Sequence, residues 1–325
     1  QKVARSMSRR QLARSYALLG DLQQATVIYE QELKIAPDSF EILQGLSNLY
    51  LENGHAKRAQ PLLERILDME SLIPESQLHA TRRKLAIVLA SQDSFAQFKQ
   101  SMELLEKNRR HDGSFVVADR RAMANVLATS SDRADWQEAV TTLEHLEDQQ
   151  PLLPNDRWVL GRLYDQLGQT QQATDQLSAA IESGTNGTLF VRHYVANLIR
   201  HKKLEQANLW LAKLQDQEPD AIGTLTLDVY LKTAEGQPDL AVELLGKYSS
   251  QSDDSRVASH TDRLVVAANI ATVANRDAAS PALSTFAENA LLKVARLDQA
   301  QLSRLVTWYI QQERPDDGLV LVADL

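Results

Sequence analysis

Slid along itself by 34 residues, the chain meets its own pattern, and this offset limits what it can fold into more than any other property. Leu12, Ala13, Tyr16, Gly20, Ala25 and Tyr29 fall on Leu46, Ser47, Tyr50, Gly54, Ala59 and Leu63. Leu160, Gly161, Tyr164, Gly168, Ala173 and Leu177 keep the same internal spacings, and Ala173, Ala207 and Ala241 again stand 34 apart. A unit of this length cannot bury its apolar face alone and does so against the next copy, so the chain reads as a repeat array.

Residue types within the unit give its form. Leu-small-x-x-Tyr, as in Leu12-Ala13 to Tyr16 and Leu160-Gly161 to Tyr164, puts a large, a small and an aromatic side chain on one face of a first helix. A second helix carries a small residue and, four on, a large one, as in Ala25 and Tyr29 or Ala207 and Leu211. Such i, i+4 pairs let two helices interlock at close range. Gly20, Gly54, Gly168 and Gly236 mark the turns between them, and Pro37 and Pro219 follow second helices and stop them. Composition agrees: 49 Leu, 39 Ala and 28 Gln against 12 Gly and 9 Pro are helix formers with few breakers, so the fold class is all-α.

At these residues the chain resembles the tetratricopeptide repeat family, a 34-residue helix-turn-helix unit with a W-x2-L-G-x2-Y…A-x3-F…P pattern. Leu160-Gly161-Arg162-Leu163-Tyr164, Ala173 and the prolines carry the likeness; most copies lack the tryptophan, and Trp158 precedes Leu160 by two residues where the pattern asks for three. The resemblance implies a right-handed superhelical solenoid of about nine repeats over residues 1–325. Counting on the small residue of each second helix gives repeats at Ala25, Ala59, Phe98, Ala139, Ala173, Ala207, Ala241, Ala282 and Gly318. Repeats are regular over 6–73 and 154–248, irregular over 74–150 and degenerate over 256–325, and Ser249 to Ser255 is the expected hinge. Met69 to Ser76, Arg109 to Asp119 and Ser130-Ser131-Asp132 lengthen connections. The apolar run Gly318 to Val322 reads as a last repeat cut short, and Gln1 to Arg10 lack both an initiator Met and the core of a signal peptide, so the chain is expected to be part of a longer protein.

Chemistry is sparse. No phosphate loop, dinucleotide fingerprint, nucleophile elbow or H-E-x-x-H occurs, so the chain is read as non-catalytic with no cofactor. It has no cysteine, and its seven histidines are scattered, with the nearest pair, His193 and His201, two helical turns apart, so no metal is expected. Asp253-Asp254 and Asp316-Asp317 read as solvated turn or capping residues, and Asn186-Gly187-Thr188 fits a glycosylation acceptor but reads first as a turn between two helices. No run reaches the roughly 18 apolar residues of a membrane span. Residues 1–125 carry net +3 and residues 126–325 net −11, neither being a nucleic-acid footprint.

A binding surface remains. In the resembling family first helices line the concave side, where peptides or partner segments bind. The exposed positions there are Arg10 and Arg14, then Gln44 and Asn48, then Arg83 and Lys84, a set that could receive an acidic segment or a carboxylate, or could be exposed charge with no ligand. Co-chaperones of the family hold a Glu-Glu-Val-Asp tail with Lys and Asn, then Asn, then Lys and Arg; Arg10, Arg14, Gly45, Ala80 and Lys84 fall at those places, and three of the five differ in type, which rejects that clamp. Trp158 and Arg162, Arg192 and His193, and Thr226 and Tyr230 form a second strip, suited to an extended peptide, or else Trp158 and Tyr230 pack between repeats. The reading is a scaffold that binds a protein or peptide partner, acidic at the first strip, with no nucleic acid; the alternative is a substrate-recruiting or regulatory arm of an enzyme whose catalytic domain lies outside residues 1–325. Self-association through the uncapped apolar end at 319–322 is a third expectation.

Overall fold

The computed structural model describes residues 2–92, 94–183, 187–250, 259–297 and 302–316. These form seventeen α-helices and one 3-10 turn, Glu70–Leu72. They fall into two compact bodies, Gln1–Ala173 and Thr174–Leu325. In the N-terminal body, α1 (Lys2–Leu18) pairs with α2 (Leu22–Ile35), α3 (Phe40–Glu52) with α4 (Ala56–Asp68), α5 (Glu75–Ala90) with α6 (Phe95–Glu106), and α7 (Val117–Leu127) with α8 (Arg133–Glu147), and α9 (Pro154–Gln166) packs on α8. Helix α10 (Thr170–Glu182) spans the body boundary. In the C-terminal body, α11 (Thr188–Arg200) pairs with α12 (Leu204–Gln217), α13 (Ile222–Ala234) with α14 (Pro238–Ser250) and α15 (His260–Ala278) with α16 (Pro281–Leu297); α17 (Leu302–Gln311) packs on α16. First helices also touch the next first helix, as α1 does α3, α5 does α7, α11 does α13 and α13 does α15.

Each regular pair turns the same way. His55 N–H donates to the Tyr50 carbonyl at 2.7 Å and Gln169 N–H to that of Tyr164 at 2.8 Å, the six-to-one bonds of a Schellman motif. That geometry needs a left-handed residue one place before the donor, which Gly54 and Gly168 supply at φ +73° and +81°. At 202 the same bond, from Lys203 to Leu198, is made with Lys202 held at φ +56°. The motif tyrosine thus works twice: its carbonyl ends the first helix, and its ring packs on the preceding second helix. Tyr50 Oη donates to Glu30 at 2.6 Å, Tyr164 Oη to Glu144 at 2.6 Å and Tyr309 Oη to Glu288 at 2.6 Å.

Small residues at the helix crossings are fully buried: Ala25, Ala59, Ala139, Ala173, Ala207 and Ala241 are all at 0% exposure. Two positions on that ruler are corrected. Phe98 is half-buried, whereas Ser101 at 0% with Leu105 four on takes the crossing place in α6, because the 3-10 turn and the long α5 push the second helix further along. In α16 the place falls to Leu283, at 0%, and Ala282 is only half-buried: Glu288, which receives Tyr309, stands five residues after Leu283 as Glu30 stands five after Ala25. The lengthened connections have local causes. Asp112 accepts from Ser114 N–H at 2.9 Å beside Gly113 at φ +82°, and Asp132 caps α8 by accepting from Ala134 N–H. The expected hinge beyond Ser250, the acids at Asp253-Asp254 and Asp317, Asn186 and the apolar run Gly318 to Val322 lie outside the described residues.

Candidate functional site

The exposed sides of successive first helices are where side chains from different repeats meet. In the N-terminal body they are tied by a ladder of polar pairs 31 to 36 residues apart. Arg10 on α1 pairs with Glu41 on α3. Gln44 on α3 donates to Gln77 on α5 at 2.8 Å, and Lys84 on α5 donates back to Asn48 at 2.6 Å. Arg83 on α5 donates to Asp119 on α7 at 2.7 Å, and Arg121 on α7 to Asp156 on α9 at 2.7 Å. Both aspartates sit in the first turn of their helices, where the helix dipole favours a negative charge, and Asp156 also accepts from Leu153 N–H.

Asp119 is the deepest of these groups, at 0% exposure. One carboxylate oxygen accepts from Arg83 and from Asn108, itself at 1%. Asn108 in turn accepts from Arg82 and donates to the His79 carbonyl, so the irregular stretch after α6 is anchored to α5 by a buried polar knot. Burial pulls the Lys84 ammonium below its ordinary pKa, and the Arg83 charge beside it adds to that. The cations the sequence offered to an acidic ligand are therefore spent, except one: Arg14 is exposed and lines a cleft of about 350 Å³ with Glu41, Asn48 and Glu52. Tyr29 forms part of its wall, its ring so close over Gly45 that an added Cβ would lie 2.7 Å from it.

The second strip is built differently. Arg162 lies over the Trp158 ring at 4.8 Å, and burial lowers its pKa. Both belong to the N-terminal body. In the C-terminal body Arg192 reaches Glu218 at 3.8 Å and lies across Gly223 at the start of α13, where a Cβ would stand 2.8 Å from the guanidinium. His193 is half-buried on the same helix. Thr226 turns its hydroxyl to the Ile222 carbonyl. Tyr230 is half-buried and lines a cleft of about 550 Å³ between α11, α13 and α15, whose other residues include Ile199, Arg200, Lys202, Val273 and Ala274. A smaller cleft of about 340 Å³, between α15 and α17, shares Val273 and adds Arg276, Arg304 and Trp308. Sequence reasoning missed Lys202, Arg276 and Arg304. Lys202 stands 34 residues from both Gly168 and Gly236, a signal open to the same offset that revealed the repeat.

Among the described residues no three His, Asp or Glu side chains stand together as a metal set, and no helix is long and apolar enough to cross a membrane.

Comparison with known proteins bears on the same helices. A family profile described as tetratricopeptide repeat matches residues 16–85, covering α2, α3 and α4. Cellulose synthase operon protein C of Pseudomonas fluorescens (strain SBW25) is 25% identical over 228 residues, covering 65% of this chain. The chain spans 17% of that curated relative's length. The crystal structure of a tetratricopeptide repeat protein from Parabacteroides merdae covers 81% of this chain and 98% of its own, with a TM-score of 0.50 at 12% identity. The crystal structure of yeast Tom70 covers 98% of this chain and 84% of its own, with a TM-score of 0.44 at 17% identity. At 12% identity the likeness to the Parabacteroides merdae protein speaks to the fold alone.

Proposed function

We propose that this chain of tetratricopeptide-type helix pairs is a non-catalytic scaffold, receiving a peptide or partner surface on the exposed sides of its first helices. The observation that carries the reading is the continuity of those sides within each body. Side chains from α1, α3, α5, α7 and α9 meet in one ladder, and clefts open between α11, α13, α15 and α17. A rigid, side-chain-rich surface assembled from several repeats binds without ordering itself first, which lowers the cost of association. The fold hosts many roles, so it is this surface that supports the reading.

Site-specific photo-crosslinking tests it. A crosslinking residue placed at Arg14, Gln44 or Thr226 on first helices should trap a partner protein in cells, while one at Lys57, Glu205 or Glu243 on second helices should trap little. Trapping confined to the second-helix positions would overturn the proposal.

A second reading is favoured by the relative named for a cellulose synthase operon, in which the matched region is 17% of a much longer protein. On that reading the chain is the recruiting arm of a polysaccharide-synthesising assembly, with the catalytic domain outside residues 1–325. Purification of the native protein with its bound partners, followed by mass spectrometry, separates the two: a glycosyltransferase domain in the same polypeptide or the same complex supports the arm, and its absence supports the plain scaffold.

A further inference from the structure

The C-terminal body segregates its charge. Residues 174–325 carry 20 Asp and Glu against 14 Lys and Arg, yet the four helices α11, α13, α15 and α17 reverse that sign with six Lys and Arg against three Asp. Two of those aspartates are engaged within the fold. Asp228 accepts from Gln215 on α12, and Asp262 caps α15 with Ser259. Glu235, just past α13, is held by Lys232 and Asn208. The third aspartate, Asp277, lies outside the described side chains.

Of the cations on these helices, Arg192 pairs with Glu218 and Lys232 with Glu235, as in the N-terminal ladder, and Arg263 is buried. Lys202, Arg276 and Arg304 are exposed, and their side chains make no ion pair or hydrogen bond among the described residues. They stand at the rims of the two clefts that meet at Val273, which is 42% exposed, with Tyr230 in the wall of one and Trp308 in the wall of the other. Lys202 occupies the left-handed turn position held by Gly20, Gly54, Gly168 and Gly236 in other turns, as Glu313 does after α17.

Resting on the scaffold reading above, we infer that the face of α11, α13, α15 and α17 binds an extended acidic segment of a partner protein, seating one apolar side chain in the cleft beside Tyr230 and Val273. Charge complementarity selects the ligand: exposed cations around an apolar floor favour carboxylates flanking an aliphatic or aromatic residue. Three steps between neighbouring helices, at about 8–10 Å each, ask for a segment of about eight or nine extended residues. This surface lies on the last four first helices; in the first three repeats Arg10, Arg83 and Lys84 have partners within the fold and Arg14 is exposed.

The test is fluorescence anisotropy on the full chain with a labelled ten-residue peptide of alternating Glu and Ser around one central Leu. Binding should weaken as salt is raised. Replacing Glu with Lys should abolish binding, and replacing the Leu with Gln should weaken it about fivefold or more. The double variant Arg276→Glu, Arg304→Glu should bind the acidic peptide about tenfold less tightly, two exposed charges being reversed. Both residues are exposed, and thermal unfolding of the variant should match that of the parent. No binding of the acidic peptide, equal binding of the Leu and Gln peptides, or unchanged affinity of the double variant would each overturn the inference. The crosslinking experiment reads the scaffold proposal separately: partners still trapped at first-helix positions, with no acidic-peptide binding, would sink this inference alone.

Discussion

Lys202 shows how much a single backbone angle decides. It holds φ +56° at a turn where Gly20, Gly54, Gly168 and Gly236 hold +73° to +82°. A non-glycine residue in that region costs about 1 kcal/mol, from the clash of Cβ with the backbone. Lys202→Gly should therefore raise stability by about 0.5–1 kcal/mol in urea unfolding, while weakening the acidic peptide. A loss of stability would show that the lysine side chain contributes packing that outweighs its strain. Tyr50 is a residue-scale probe of another kind. Burial, then the hydrogen bond to Glu30 and the Glu30 charge, push its phenol up to about 12 from an ordinary 10.0, with Arg58 over the ring acting in the opposite direction. The folded state thus keeps the proton longer than the unfolded one. Its contribution is whole below pH 10 and is lost as pH rises towards 12. The stability gap between the parent and Tyr50→Phe should narrow across that window, and a constant gap would refute the assignment.

At the scale of elements, the polar knot on α5 and α7 is the costliest thing to cut. Asp119 is fully buried and serves Arg83 and Asn108 with one oxygen, so Asp119→Ala would leave a guanidinium and a buried amide without their acceptor. Removing one partner of such a pair costs about 3 kcal/mol, and chemical denaturation should show it. A cost below about 1 kcal/mol, that of an exposed pair, would mean that water replaces the carboxylate. The same helices show what a sequence can and cannot disclose. Regular pairs were legible because tyrosine, turn glycine and crossing alanine recur at fixed spacing, each with a steric reason. Where the crossing residue is Ser101 or Leu283 the spacing signal fails, and Phe98 and Ala282 stood in for them. Arg10, Arg83 and Lys84 were legible as first-helix cations, but their partners Glu41, Asp119 and Asn48 differ in residue type and lie after the cation in two cases and before it in the third. Whether a cation is free or spent is settled by packing across repeats, which no local pattern encodes.

Over the whole molecule, stability is distributed. One buried cluster runs from Ala13 to Val126, another from Ala124 to Ala173, and a third from Val229 to Tyr309. In such arrays a repeat is stabilised by its own pair and by its immediate neighbours, so damage spreads by steps and decays with distance. Leu283→Ala offers a direct measure. The side chain is at 0% exposure within the third cluster, beside α14 and α15, and its truncation should cost about 2–5 kcal/mol through lost contact and the cavity left behind. Native-state hydrogen exchange should then show faster opening of α14 to α17, with α3, α4 and α5 exchanging as in the parent. A uniform rise in exchange along the chain would mean that the repeats unfold as one cooperative block. In that case a ligand on the last four first helices would stabilise α3 and α4 as much as α15, because binding energy is shared by whatever unfolds together. If opening is local, the same ligand protects α11 to α17 alone, and the contrast between these exchange patterns ties the binding surface to the mechanics of the array that carries it.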